Sequence, residues 1–160
     1  MGYWGHLIAT GSSQELVGTA MLSAFGDQQT VAEGPPGWHV YHVAGAEPDL
    51  TAAVRALAAG TGAPAIAAYV LDSDCAIVRA ATPDGARWSA VLNPERAEEY
   101  GAPGSSPDAV LAQAVTWARA AQLDHDDDLI RRAVTTEATF AEDQFLALLE
   151  AFRPSLTGPT

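Results

Sequence analysis

The densest group of side chains able to do chemistry lies in "QLDHDDDLIRR", where Asp124, His125, Asp126, Asp127 and Asp128 are consecutive. Carboxylates beside an imidazole suggest a hard-cation loop or a transition-metal site. Asp124, Asp126 and Asp128 match the D-x-D-x-D opening of a calcium loop. Such a loop then needs a glycine and, six positions later, a carboxylate, whereas the chain has Leu129 and Thr135 there. The same residues suit the start of a helix, with Asp124 as N-cap and Asp127 three positions on. Asp126 to Asp128 then occupy the first turn, and Arg131 and Arg132 lie nearer the far end, each sign where the helix dipole favours it. We expect a helix start here, with no metal and no cofactor.

A second candidate is "GWHVYHV". His39 and His42 are three apart, so on a regular strand they face opposite ways. With His6 on a neighbouring strand and Trp38 and Tyr41 nearby, these residues offer a ligand pocket or an acid–base pair. The plainer reading is a set of amphipathic strand residues. A third candidate is "LDSDC": Asp72 and Asp74 raise the pKa of the adjacent Cys75 thiol, the wrong direction for a nucleophile, and suit a hairpin turn. No G-x-S-x-G elbow, phosphate-binding loop, G-x-G-x-x-G or H-E-x-x-H motif occurs. No catalytic residue is assigned.

The elements that must position these residues follow from periodicity. Tyr3 to Ala9 reads as a strand. "SSQELVGTAMLSAFG" reads as a helix with a Ser12–Glu15 capping box and apolar residues Leu16, Val17, Ala20, Met21, Ala24 and Phe25. "QTVAEGPPGWHVYHV" gives two strands around a Gly-Pro-Pro-Gly turn. Pro48 and Asp49 open a second helix, which Gly60 or Gly62 ends. Three further strands follow in "APAIAAYVLD", "CAIVRA" and "ARWSAVLN". The order β-α-β-β-α-β matches the ferredoxin-like split βαβ pattern, extended by a C-terminal β-meander in a mostly antiparallel α+β sheet.

The rest is helical. Asn93-Pro94 caps and starts a short helix ending near Tyr100, and "GAPGSSP" is a loop. Ser106-Pro107 opens the next helix, and Thr139 and Glu142 form a capping box before a helix that Pro154 ends. The expected division is an α+β sheet domain over 1–93, C-terminal helices over 94–154 packed on it as one globular unit, and a frayed tail over 155–160. "AIAAYVL" is apolar on both faces, so both sides of the sheet need cover, from the C-terminal helices or from a second copy of the chain.

Composition bounds the function. The 160 residues are 48% apolar and 18% charged, which suits one globular domain. All eight basic residues are arginine, and the formal net charge is -12. That charge disfavours nucleic acid and anionic membranes as partners; the plainer reading is that it serves solubility, and the other is that it attracts a basic protein. Cys75 is the sole cysteine, so no internal disulfide forms. "MGYWGHLIAT" lacks the basic and apolar regions of a signal peptide, and no apolar run approaches the roughly 18 residues of a membrane span. A cytoplasmic location is expected.

"MGYWGHLIA", "YVLDSDCAIV" and "ARWSAVLN", with the Ala-rich, Lys-free composition, resemble small uncharacterised actinobacterial proteins of the Streptomyces type. The resemblance spans most of the chain and implies no catalytic residue. Sequence thus favours a non-enzymatic protein-interaction domain, of the immunity type that sets an acidic surface against a basic partner. The alternative is a homodimeric ferredoxin-like ligand-binding protein or small enzyme. Its pocket would be lined by His6, Trp38, His39, Tyr41 and His42.

Overall fold

The computed structural model describes residues 2–46, 48–101, 106–136 and 139–154. Six strands form one antiparallel sheet: β1 (Gly5–Thr10), β2 (Gln28–Ala32), β3 (His39–Ala44), β4 (Ala65–Leu71), β5 (Cys75–Ala81) and β6 (Arg87–Leu92). Their order across the sheet is β2-β3-β1-β4-β5-β6. The central strand β1 is buried along its whole length. Tight turns set the register of the β4–β5 hairpin: Asp72 and Ser73 both take positive φ, and Leu71 lies opposite Cys75.

Helices cover both faces. On one side lie α1 (Ala20–Ser23), α2 (Leu50–Thr61) and α3 (Pro94–Ala97). Ile8, Tyr41, Val43, Ala65 and Ala67 meet Leu16, Leu22, Phe25, Val54 and Leu57 there. On the other side, α4 (Pro107–Ala120), α5 (Asp127–Thr135) and α6 (Ala141–Ala151) cover Leu7, Val40, Ile66, Ala68, Val78 and Trp88. Alternation along each strand divides the two cores. The apolar character of "AIAAYVL" on both faces therefore has its cover within this one chain. Among the described residues, no helix is long and apolar enough to cross a membrane.

Tryptophans tie the second layer to the sheet. The Trp38 indole N–H donates to the carbonyls of Leu149 (3.1 Å) and Phe152 (2.6 Å), at the end of α6. Trp88 donates to Val110 of α4 at 3.1 Å. Both residues are buried, so the donors are satisfied away from water.

Four local expectations change. The helix over residues 12–26 shrinks to one turn, α1, because Gly18 takes φ 85 and the chain turns at Leu16–Thr19. Thr19, not Ser12, is its N-cap, and Val17 is exposed while Leu22 is buried. Helix α5 is capped by Asp126 rather than Asp124. The reason is that Leu123–His125 forms a short strand, β7, paired with β8 (Phe152–Pro154). Helix α6 starts at Ala141 without a side-chain cap, so the Thr139–Glu142 box does not form. Asn93 leads into α3 in the left-handed region, and its side chain donates to the Asp74 carbonyl instead of capping. The tail over 155–160 and most of the "GAPGSSP" loop lie outside the described residues.

Candidate functional site

The five residues picked from sequence do not come together. His6, His39 and Tyr41 lie on the α1–α2 face, and Trp38 and His42 on the α4–α6 face. The pairing of β1 with β3 sets Leu7 opposite His42 and Thr10 opposite His39. His6 and His39 are therefore four residues apart along the ladder, about 13 Å at ~3.3 Å per residue. Trp38 is consumed by its two carbonyl partners. His42 is half-buried and meets the edge of Tyr3 at 5.3 Å. His39 is exposed at the start of β3. Tyr41 is buried and its pKa is raised by burial, against a backbone hydrogen bond from Leu16 and with a contribution from Glu15.

His6 has a different role. It is buried and stacks on Tyr69 across the β1–β4 ladder, with centroids 4.9 Å apart, while Phe25 meets its edge at 5.6 Å. This packing props Tyr69 as one wall of an open cleft of about 490 Å³, lined by Trp4, Gly5, Ala44, Gly45, Ala46 and Tyr69. The cleft sits where the helical cover of this face is interrupted. α2 packs over Ala65, Ala67 and Ala81, and α3 over Leu71 and Cys75.

The rim of the cleft is aromatic and acidic. Trp4 is 52% exposed and meets Tyr100 edge-on at 6.1 Å; Tyr100 is 37% exposed. The Tyr100 hydroxyl donates to Asp74 at 2.9 Å, which fixes the ring. That hydrogen bond, with burial and the nearby Asp74 and Asp72 charges, raises the Tyr100 pKa to about 12. Tyr100 therefore stays a neutral donor throughout the physiological range. Arg96 lies 3.8 Å from Asp74 and offsets part of its charge. Glu98 and Glu99 are exposed beside Tyr100. At the other end, the Asp27 carboxylate occupies the space a Cβ on Gly45 would need.

Sequence reasoning missed Trp4, Tyr69 and Tyr100. Strand parity places Trp4 on the face of His6, but only the β1–β4 register brings Tyr69 beside them.

The other candidates are structural. In the acidic stretch, Asp126 accepts from the Leu129 N–H, and His125 Nδ1 lies 2.7 Å from Asp127. Among the described residues, no group of three His, Cys, Asp or Glu side chains is arranged to hold a metal ion. Cys75 is fully buried, and its thiol is pushed up to about 11 by burial and by Asp74, against a lowering by Arg96. At pH 8 that shift from 9.0 cuts the thiolate fraction about 100-fold. A thiol-specific disulfide reagent should barely label the native protein in an hour and label it stoichiometrically in denaturant. Full labelling of the native protein within minutes would contradict this burial.

Searches against family models, curated proteins and solved structures gave no match to this chain.

Proposed function

We propose that this chain is a non-enzymatic interaction domain that binds a basic protein through the Trp4–Tyr69–Tyr100 cleft. The observation that carries the reading is the contact of an exposed Trp4 with an exposed Tyr100 that is hydrogen-bonded to Asp74, with the Asp72 charge close by. Aromatic faces attract guanidinium and ammonium groups, by about 0.5–1 kcal/mol at exposed sites and ~2 kcal/mol when desolvated. Trp and Tyr are also the side chains most enriched at binding hot spots. Neighbouring carboxylates add a salt-sensitive attraction that steers a basic partner to this end of the sheet. The net charge of -12 works in the same direction. Masking a basic partner in the manner of an immunity protein is the specific role that fits such a surface.

The fold supports the same reading. The antiparallel β2-β3-β1-β4 order, with helices after β1 and β3, supports a ferredoxin-like arrangement extended by the β5–β6 meander. Both faces of that sheet are largely covered by helices, and Trp4 and Tyr100 stay exposed together at the cleft.

Fluorescence tests the proposal. Trp38, Trp88 and Trp117 are at most 5% exposed, so acrylamide quenching reports chiefly on Trp4. An arginine-rich peptide seated in the cleft should shield Trp4 and lower the quenching constant. Binding that leaves Trp4 equally accessible would place the basic probe elsewhere and overturn the assignment.

A further inference from the structure

We infer that the outer edge of β2 is a second docking surface, which accepts an extended segment of a basic partner as an added strand. The inference rests on the reading of an acidic interaction domain but uses a different surface from the cleft. Among the described residues, strand β2 ends the sheet and pairs on one side only, with β3. A bare edge offers unpaired backbone groups to another strand, and proteins usually blunt it with charge, proline or a bulge. "QQTVA" has no charge and no proline. The opposite edge, β6, carries Arg87 and is approached by α4 and α5.

Two exposed apolar side chains mark the β2 side. Val31 is 67% exposed and Val17 is 42% exposed. Val17 is held near the edge because the adjacent Gly18 N–H donates to Gln29 Oε1 at 2.8 Å. A strand laid along β2 would place an apolar side chain beside Val31.

Charge selects the occupant. Asp27 and Glu33, both exposed, bracket the neutral strand. If two copies of the chain paired all five β2 residues, Thr30 would face Thr30, and Asp27 would face the copy's Glu33 at each end. Like charges opposed across strands are destabilising, and each copy already carries -12. A partner strand with basic residues six positions apart reverses the sign at both ends. Strand addition then supplies affinity through the main chain and specificity through these alternate side chains.

The test uses a seven-residue peptide with Arg at its first and seventh positions, Val at the third and Thr elsewhere. Fluorescence anisotropy should show salt-sensitive binding to the full chain, and hydrogen exchange should slow at the amides of residues 28–32. Glu33→Gln should weaken binding about 3-fold, and replacing both peptide arginines with Glu should weaken it about 10-fold. Val31→Lys should also weaken it without lowering the melting temperature. Protection at 28–32 by this peptide should persist in Trp4→Ala, which separates the edge from the cleft. Absence of binding, or binding without protection at 28–32, overturns the inference. So does protection at 28–32 that grows with protein concentration in the absence of peptide, because the occupant would then be a second copy.

Discussion

Trp38→Ala is expected to destabilise the fold by about 3–5 kcal/mol, the range for truncating a large buried aromatic. The indole is 5% exposed and fills the junction between β3 and the C-terminal helices. Its N–H also serves two carbonyls at the end of α6. Trp38→Phe keeps a six-membered aromatic ring and removes the donor with the rest of the indole. That change should cost about 1–3 kcal/mol, a lost hydrogen bond plus lost packing, because the Leu149 carbonyl still accepts from the Phe152 N–H. Urea unfolding with unchanged m-values would measure both. A loss below about 1 kcal/mol for the alanine variant would mean that α6 is not held to the sheet through this residue.

Gly26→Ala should be nearly as damaging, at about 3 kcal/mol or more. Gly26 joins α1 to β2 with φ 148, and a Cβ there would overlap the Ala44 carbonyl at the end of β3. Neither the strand end nor the turn can move without disturbing the β2–β3 register. Gly18→Ala is the matched control. Its φ of 85 is also left-handed, yet a Cβ there meets nothing within 4 Å. It should cost only the conformational term, about 1–2 kcal/mol. Equal losses for the two variants would show that backbone conformation, rather than contact with Ala44, decides the outcome.

The parts of the fold legible in sequence are those whose signals are local. Asp49 accepts from the Ala52 N–H, and Gly62 ends α2 in the left-handed region; both ends follow from capping chemistry. The β4–β5 and β5–β6 hairpins follow from apolar runs broken by Asp-Ser-Asp and Pro-Asp-Gly. The helix over residues 12–26 failed because its spacing was good and its backbone was not. Gly18 and the side-chain links of Thr19 and Gln29 favour a turn there. Strands β7 and β8 have three residues each, too few for alternation to show. Their pairing moved the α5 cap two residues onward.

The candidate site was less legible, and for a related reason. Parity sends His39 and His42 to opposite faces, but what covers each face is tertiary information. The residues that line the cleft come from the start of β1, the end of β3 and the middle of β4, with Tyr100 on the rim beside Trp4. Only the sheet register and the Tyr100–Asp74 hydrogen bond unite them. His6, chosen from sequence as a ligand residue, instead supports Tyr69 from behind.

The central claim is that a basic partner is read by the aromatic cleft and not by net charge alone. The direct measurement is the affinity of an arginine-rich peptide for two doubly neutralised variants and for Trp4→Ala. Asp72→Asn with Asp74→Asn removes two charges at the cleft. Asp124→Asn with Asp128→Asn removes two exposed charges from the α5 end, where neither side chain caps the helix. The cleft pair and Trp4→Ala should each lose about 10-fold, and the α5 pair less than about 2-fold. Equal losses for the two pairs, with Trp4→Ala unchanged, would contradict the claim.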